Sequence, residues 1–254
     1  MMGTWNRRMM RSVLLVLGCA PLVAGCIIVN DNIKDIAGTT LDPKTKLEIN
    51  IVADGTGKTH VEACSSDASL SCLEINGPIT ASNGGVFVDL PFVVDHVEAD
   101  GTKVGSFMAD LMGDADGTEI TVKSKATATA DPGSVVALPK APIIATPAAD
   151  AMISAATDTI KLTWSPSGET DRLEWTSAIV CPSKTTEPAL QGAAVTDTGT
   201  LEILPKDLVL PAGETCSVEI ILRRGRDGVL EKAFQGRGGI AAVQSRSVTI
   251  TVTP

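Results

Sequence analysis

Short runs rich in Val, Ile and Thr, separated by glycine-containing turns, constrain the fold of this chain more than any other feature. Residues 46–53 alternate apolar and polar side chains, Asp-Gly-Thr-Gly follows at 54–57, and residues 59–63 form a second run. Alternation with a period of two is typical of a strand with one buried face, and such a turn favours a hairpin. No long segment has the helical period, so the sequence predicts an all-β fold built around aliphatic side chains.

The N-terminal segment has the pattern of an export signal. Its positive end carries Arg7, Arg8 and Arg11, and an apolar stretch follows at residues 13–23. That stretch is shorter than the roughly 20 residues that a membrane-spanning helix needs, and its length is typical of a secretory signal. The sequence therefore predicts an N-terminal signal helix ahead of the folded part.

Residues 22–26, Leu-Val-Ala-Gly-Cys, resemble the lipobox of bacterial lipoproteins, although that family prefers Leu where Val23 stands. The resemblance implies a signal peptide over residues 1–25, which is removed by a cut just before Cys26. It also implies that the Cys26 thiol carries a diacylglycerol group and that acyl chains such as palmitate anchor the protein in a membrane. Residues 26–40 are then expected to form a lipidated tether.

The lipid anchor and the charge set the expected location and partners. Ile27 follows the lipid site, whereas Asp there would signal inner-membrane retention, so the resemblance implies the outer membrane of a bacterial cell envelope. The chain has 21 basic and 30 acidic residues and a net charge of −9. An acidic surface repels phosphate backbones. We expect the membrane and another envelope protein as partners, and no nucleic acid.

Cysteine usage agrees with export into an oxidising space. Of the six Cys, Cys19 lies in the leader and Cys26 is the expected lipid site. The remaining four are Cys64, Cys72, Cys181 and Cys216. An even number of cysteines in such a space predicts disulfides. Three pairings are open, and we favour the local one, Cys64 with Cys72 and Cys181 with Cys216, because it places one bridge in each half.

The second half resembles a fibronectin type III domain. Residues 159–166 are similar to that family's second strand, which ends in a buried Trp and a Pro. Residues 210–220 are similar to the corner that leads into the sixth strand, with Cys216 where that corner has Tyr, and residues 247–252 would be the closing strand. The resemblance implies a fibronectin III-like or immunoglobulin-like sandwich over residues 151–254.

The whole pattern predicts two β-sandwich domains. The first covers residues 41–138, where turns with Gly separate apolar runs. Residues 139–150 contain three prolines and are expected to form a stiff linker, in which residues 143 and 144 add an edge strand. The second domain covers residues 151–254.

Acids between residues 110 and 119 suggest one candidate metal site. Residues 114–119 resemble part of a calcium loop, but Met112 and Lys123 stand where its first and last acidic donors belong. A looser calcium site would use Asp110, Asp114, Asp116 and Glu119. A plain hairpin turn is the alternative, and apart from calcium no cofactor is expected.

Two histidine motifs suggest a second, weaker metal site. His60-Val61-Glu62 recurs as His96-Val97-Glu98. In a strand, His and Glu two residues apart share one face, so two such strands would offer imidazoles and carboxylates to zinc. The alternative is that the valines point inward while their polar neighbours face water, and with two His in the chain we favour it.

Basic residues concentrate near the last predicted strands. They are Arg223, Arg224, Arg226, Lys232, Arg237 and Arg246. The set indicates either solvated hairpins or an anion-facing patch for the partner domain, lipopolysaccharide or an acidic protein.

The catalytic and nucleotide-binding motifs that the chain suggests are incomplete or absent. Residues 54–59 resemble a phosphate-binding loop, but Val52 stands where its leading Gly belongs. Neither G-x-S-x-G nor S-x-x-K, two motifs of nucleophilic catalysis, occurs in the sequence.

These observations predict an envelope-anchored lipoprotein that acts as a non-catalytic structural or protein-binding module. No catalytic residues are singled out, so the chain is not expected to be an enzyme. The alternatives are a calcium- or small-ligand-binding envelope protein and, as a third choice, a secreted hydrolase. A cleft of convergent acids would favour these alternatives, and a smooth pair of sandwiches would favour the module.

Overall fold

A computed structural model describes residues 46–66, 78–99, 101–124, 133–183, 191–208, 210–234 and 238–254, and strands dominate them. The first eight strands in these ranges are β1 (Lys46–Ala53), β2 (Lys58–Ser66), β3 (Ile79–Ser82), β4 (Val88–Leu90), β5 (Phe92–Val97), β6 (Lys103–Met112), β7 (Glu119–Ser124) and β8 (Ser134–Ala137). The next eight are β9 (Ile143–Thr146), β10 (Met152–Ser154), β11 (Ile160–Ser165), β12 (Arg172–Val180), β13 (Gln191–Val195), β14 (Thr200–Ile203), β15 (Cys216–Asp227) and β16 (Gly238–Thr253). The predicted all-β fold is confirmed.

The predicted first hairpin is present. Along β1, the residues Leu47, Ile49 and Ile51 are buried and their neighbours are more exposed, as the alternation predicts. β2 returns antiparallel, with Ala53 opposite Thr59. The turn between them is held by Asp54, whose Oδ1 accepts a hydrogen bond from the Thr56 N–H at 3.0 Å.

One large sheet runs through the whole described molecule. Its nine strands follow the order β13-β12-β15-β16-β1-β2-β6-β5, and β10 also pairs with β16. β16 is 16 residues long and β15 is 12. The N-terminal half of β16 pairs in parallel with β1, from Leu47 opposite Gly238 to Ala53 opposite Gln244. Its C-terminal end pairs with β10, so a single strand belongs to both halves of the molecule.

Two smaller sheets cover the large one. The four-stranded sheet β4-β3-β7-β8 encloses the first core and the three-stranded sheet β14-β11-β9 encloses the second. The first core contains Ile49, Val61, Ile120, Phe234 and Ile240 among its members. The second contains Leu162, Trp164, Leu222, Ile250 and Val252. The fold is therefore a pair of β-sandwiches with one sheet in common.

Both smaller sheets lie on the same face of the large one. Ile240 and Ala242 of β16 belong to the first core, and Val248, Ile250 and Val252 belong to the second. All five have even numbers, and the pairing of β16 with β15 continues without a register shift. Successive residues of a strand point to opposite faces. Both cores therefore lie on the same face of the large sheet.

Strand pairing crosses the predicted boundary between the two domains. Residues 238–244, from the predicted second domain, pair with β1. Leu230 and Phe234 are buried in the first core, and Val229 bridges Val135. The predicted domain boundaries at residues 138 and 151 stay a prediction. The strand β16 contributes to both halves, because it pairs with β1 and with β10.

The segment predicted as a linker is packed rather than free. Leu138 and Ala141 are buried, and the Leu138 N–H donates to the Thr118 carbonyl at 2.9 Å. The expected edge strand is confirmed, because β9 pairs antiparallel with β11 and ends the three-stranded sheet. The connection between the halves is therefore held by hydrogen bonds on both sides.

Candidate functional site

The predicted lipid site lies outside the described residues. Cys26, the signal peptide at 1–25 and the tether at 26–40 all precede Lys46, the first residue that is described. Across the described ranges, the structure contains no helix with the length and apolar content that crossing a membrane requires.

The disulfide predicted for the second half is present. Cys181 and Cys216 are bonded, with their Cα atoms 4.4 Å apart, and both are buried. The bridge joins the end of β12 to the start of β15, next to the pair Val180 and Ser217. Closing a loop with a sequence separation of 35 stabilises the fold by about 4 kcal/mol in the chain-entropy estimate. Cys64 is also disulfide-bonded, and Cys72 lies outside the described residues.

Three of the four acids of the predicted calcium site, Asp110, Asp114 and Asp116, bind separate protein groups. The Asp114 carboxylate accepts from the Gly57 N–H at 3.1 Å, and the Asp116 carboxylate accepts from the Ala141 N–H at 2.8 Å. Asp110 lies on β6 and Glu119 begins β7, where it is exposed. Among the described residues, no group of three or more His, Cys, Asp or Glu is placed to hold a metal ion. The arrangement gives the calcium hypothesis no support, because Asp114 and Asp116 accept hydrogen bonds from backbone N–H groups instead.

The two histidines are held in different parts of the first half. His60 Nδ1 lies 2.9 Å from Asp110 Oδ1, and this hydrogen bond, with smaller charge effects from His60 and Lys58, lowers the pKa of Asp110. His96 Nε2 lies 3.0 Å from Glu98 Oε1. His60 is opposite Asp110 and His96 opposite Val104 on the same strand, β6. At about 3.3 Å per residue their backbones are roughly 20 Å apart, too far to share a zinc ion.

Arg224 is the most deeply buried of the predicted basic cluster. Its side chain is fully buried, and its Nη2 donates to Asp197 Oδ2 at 2.7 Å. The same guanidinium donates to the carbonyls of Lys140 and Pro166, each at 2.8 Å. Asp197 also accepts from Trp164 Nε1 at 2.6 Å. The ion pair therefore ties β15 to the connection between the halves and to the three-stranded sheet.

Three further side chains continue this polar region along β15 and β16. Arg226 donates to both carboxylate oxygens of Asp171, at 2.8 and 2.7 Å, and this pairing raises the pKa of Arg226. Gln244 Nε2 donates to the Asp114 carbonyl at 2.8 Å. Arg246 Nη1 donates to Gln244 Oε1 at 3.1 Å. We call Arg224, Arg226, Gln244 and Arg246 the seam.

The seam lies between the two cores on the face that both smaller sheets cover. Its four members have even numbers, like Leu222, Ala242 and Val248, which are buried in one core or the other. Gly55, in the first hairpin turn, has a φ of +90° and a Cβ built there would meet Arg246 Nε at 3.0 Å. The first half thus contacts the seam closely. The predicted anion-facing patch is in part an internal contact, since Arg224 and Arg226 are paired with Asp197 and Asp171.

Arg223 points to the opposite face from the seam. It is 7% exposed, and burial lowers the pKa of its guanidinium while Glu174 and Glu219 act against that change. Its Nε and Nη2 have no hydrogen-bond partner among the residues that the structure describes. Arg223 therefore lies in a different environment from Arg224 and Arg226, and Arg237 lies outside the described residues.

An apolar margin of the first sandwich was not predicted from the sequence. Six large hydrophobic side chains are exposed within residues 86–97, the segment we call the β4–β5 edge. They are Val86, Phe87, Val88, Val93, Val94 and Val97. β4 ends the four-stranded sheet and β5 ends the nine-stranded sheet. The runs Val-Phe-Val and Phe-Val-Val, which do not alternate with polar residues, were the available signal.

Comparison with known proteins adds little. No protein-family model and no curated protein matches the chain. The chain is similar to the chicken CNTN1 FN1–FN3 domains at 8% identity and a TM-score of 0.30, over 82% of this chain and 67% of that one. It is also similar to a 1.5-MDa bacterial ice-binding adhesin at 12% identity and a TM-score of 0.24, over 82% of this chain and 64% of that one. The chain thus spans less than two thirds of that adhesin chain. Such scores carry no argument, and strand pairing alone establishes the β-sandwich fold.

Proposed function

We propose that the protein is a lipid-anchored component of the bacterial cell envelope that acts as a non-catalytic structural or binding module. The observation that carries this proposal is the seam joined to the common sheet. Gln244 binds the Asp114 carbonyl of the first half and Arg224 binds the Lys140 carbonyl in the connection, so the seam fixes one sandwich against the other. A protein built in this way holds the surfaces of its two sandwiches in a fixed orientation relative to each other.

The polar side chains of the first half support the same role. Asp110 pairs with His60, Asp114 and Asp116 hold turns, and the Glu62 carboxylate accepts from Ser106 Oγ at 2.8 Å. Two of these contacts, His60–Asp110 and Glu62–Ser106, join β2 to β6, and the other two hold turns, so each carboxylate is engaged by its own partner. Catalysis by side chains needs groups within hydrogen-bond reach of a common reacting atom.

The anchor rests on the lipobox resemblance at residues 22–26. Attachment through two or more acyl chains is stable, whereas one chain alone binds reversibly. Placement at the outer membrane follows from Ile27 in the position after the lipid site. Both statements are proposals about the exported protein.

Replacing the lipid-bearing thiol tests the anchor directly. We expect Cys26→Ala to move the protein from the membrane fraction to the soluble fraction, because no diacylglycerol can be attached. Cys19→Ala is the matched control, since it removes the other leader cysteine and should leave the protein in the membrane. Intact-mass measurement of the wild-type protein should show acyl chains on a chain that begins at Cys26. Membrane attachment of Cys26→Ala equal to that of the wild type would refute the proposed anchor.

A further inference from the structure

The β4–β5 edge concentrates the exposed apolar surface of the molecule. Twelve large hydrophobic side chains are exposed in the described residues, and six of them lie within this one segment. The others are spread over several distant elements: Met112, Ile143, Met152, Val180, Leu204 and Val229. Scattered apolar residues are normal on a protein surface, whereas a contiguous group marks a contact region.

The backbone of β5 is open for pairing on one side. β5 pairs with β6 and is the last strand of its sheet in the described residues. The Met108 N–H donates to the Pro91 carbonyl at 3.1 Å. This bond shows which residues of β5 turn their backbone N–H and C=O groups toward β6. In an antiparallel ladder every second residue turns its N–H and C=O away from the partner strand. The backbone groups of Phe92 and Val94 therefore point toward the open side.

Charge at the edge selects the kind of strand that would pair there. Asp89 and Asp95 are exposed within the segment. Lys123 lies over the ring of Phe87, with its Nζ 5.2 Å from the ring centroid, on the side of β4. The β4–β5 edge thus combines apolar side chains with two carboxylates, one on each strand. A strand that alternates apolar and basic residues would complement both.

We propose that the β4–β5 edge binds an extended segment of another envelope protein, in which apolar residues alternate with Lys or Arg, by strand addition to β5. The inference rests on the proposed binding role and names its surface and partner chemistry. Strand addition takes affinity from main-chain hydrogen bonds and specificity from alternate side chains. A second copy of this chain fits less well, because it would bring its own Asp89 and Asp95 to the contact and each chain carries a net charge of −9.

A synthetic peptide provides the test. The probe is a short fluorescent peptide in which Val alternates with Lys, titrated against the purified full-length protein and followed by fluorescence anisotropy. A peptide that alternates Val with Glu is the charge control, and the Val–Lys peptide with alternate backbone amides N-methylated is the strand-pairing control. We expect saturable binding of the first peptide and at least about tenfold weaker binding of each control, since charge pairs and main-chain donors are then lost.

Two matched variants locate the site. Asp95→Lys reverses a charge on β5 and should weaken binding of the Val–Lys peptide about tenfold or more. Glu202→Lys makes the same change on β14, which is an exposed edge strand of the other half, and should leave binding unchanged. Circular dichroism should show that both variants remain folded, and Val93→Thr, which keeps the backbone and removes apolar area, serves as a second edge variant.

Several outcomes would overturn the inference. Equal binding of the Lys and Glu peptides, or equal affinity of Asp95→Lys and Glu202→Lys, would rule out the edge as the basic-strand site. Concentration-dependent dimers in sedimentation that Asp95→Lys alters would replace the proposed partner with a second copy of the chain. Loss of the membrane anchor in the fractionation experiment would leave peptide binding untouched, so the two proposals fail separately.

Discussion

The two ends of the nine-stranded sheet are held in different ways. Near the β13 end, the Cys181–Cys216 bridge joins the neighbouring strands β12 and β15, and the buried Arg224–Asp197 pair ties the sheet to the layer above it. At the β5 end, the strand carries exposed valines and pairs on one side. The strong, buried contacts therefore lie within the second half, where Arg224 also binds the connection between the halves, and the exposed apolar margin lies at the far end of the sheet.

Breaking the buried ion pair should have the largest effect. Asp197→Ala leaves the guanidinium of Arg224 buried without its carboxylate, and such an uncompensated charge costs about 3–5 kcal/mol. Urea unfolding of the variant and the wild type would measure the loss. The control is Asp171→Ala, whose partner Arg226 has a side chain 38% exposed, so water can replace the lost contact. That control should cost about 1 kcal/mol or less. Equal losses in the two variants would contradict the special role of the buried pair.

A methyl group on β6 should loosen the opposite end of the sheet. In Gly105→Ala the new Cβ would lie 1.8 Å from the Val93 carbonyl oxygen, so β5 must shift away from β6. We expect a loss of about 1–3 kcal/mol, typical of overpacking, and faster hydrogen exchange confined to residues 92–97. Gly85→Ala is the matched control beside β4, because the nearest atom to its Cβ lies at 3.9 Å. Exchange that accelerates across β12 and β15 as well would show that the two ends are not independent.

The smallest expected effect is a pH-dependent difference in stability between the wild type and a variant of Asp110, on β6 beside β5. The hydrogen bond with His60 lowers the pKa of Asp110, so the stabilisation is present above the ordinary carboxyl pKa and disappears as pH falls through the lowered value. Asp110→Asn should therefore be less stable than the wild type at neutral pH, by under about 1 kcal/mol because the pair is exposed, and the difference should vanish in acid. Melting curves of both proteins across the acid range would measure it. A difference that stays constant with pH would exclude the ion pair as its source.

Local features of the fold were predictable because they depend on neighbouring residues. The hairpin of β1 and β2 follows from alternation around an Asp-Gly turn, and the edge strand at 143–144 follows from its position between prolines. The Cys181–Cys216 pairing was one of three open possibilities and was favoured for its proximity in sequence. Each of these inferences needed no knowledge of which distant strands pair.

The shared strand and the seam were beyond sequence reasoning for the opposite reason. The closing strand was expected at 247–252, and its extension back to Gly238 beside β1 depends on long-range pairing that alternation does not encode. The sequence indicates solvated hairpins or an anion-facing patch for these arginines, yet Arg224 and Arg226 share the parity of Leu222, which lies in the second core. Applying the two-residue period across the whole of β15 would have placed them on the covered face. Their partners Asp197 and Asp171 come from loops whose positions only the fold determines.

The parallel pairing of β1 with β16 has a consequence for how the chain reaches its final form. Residues 47–53 can form their parallel hydrogen bonds only after residues 238–244 have been synthesised. Neither sandwich is therefore complete while the polypeptide is still emerging from a ribosome or a translocation channel. Folding that depends on contacts so distant in sequence is slow. During that interval the unpaired flank of β1 is open to misassociation, and a chaperone that covers unpaired strands would be of most use to this protein at that stage.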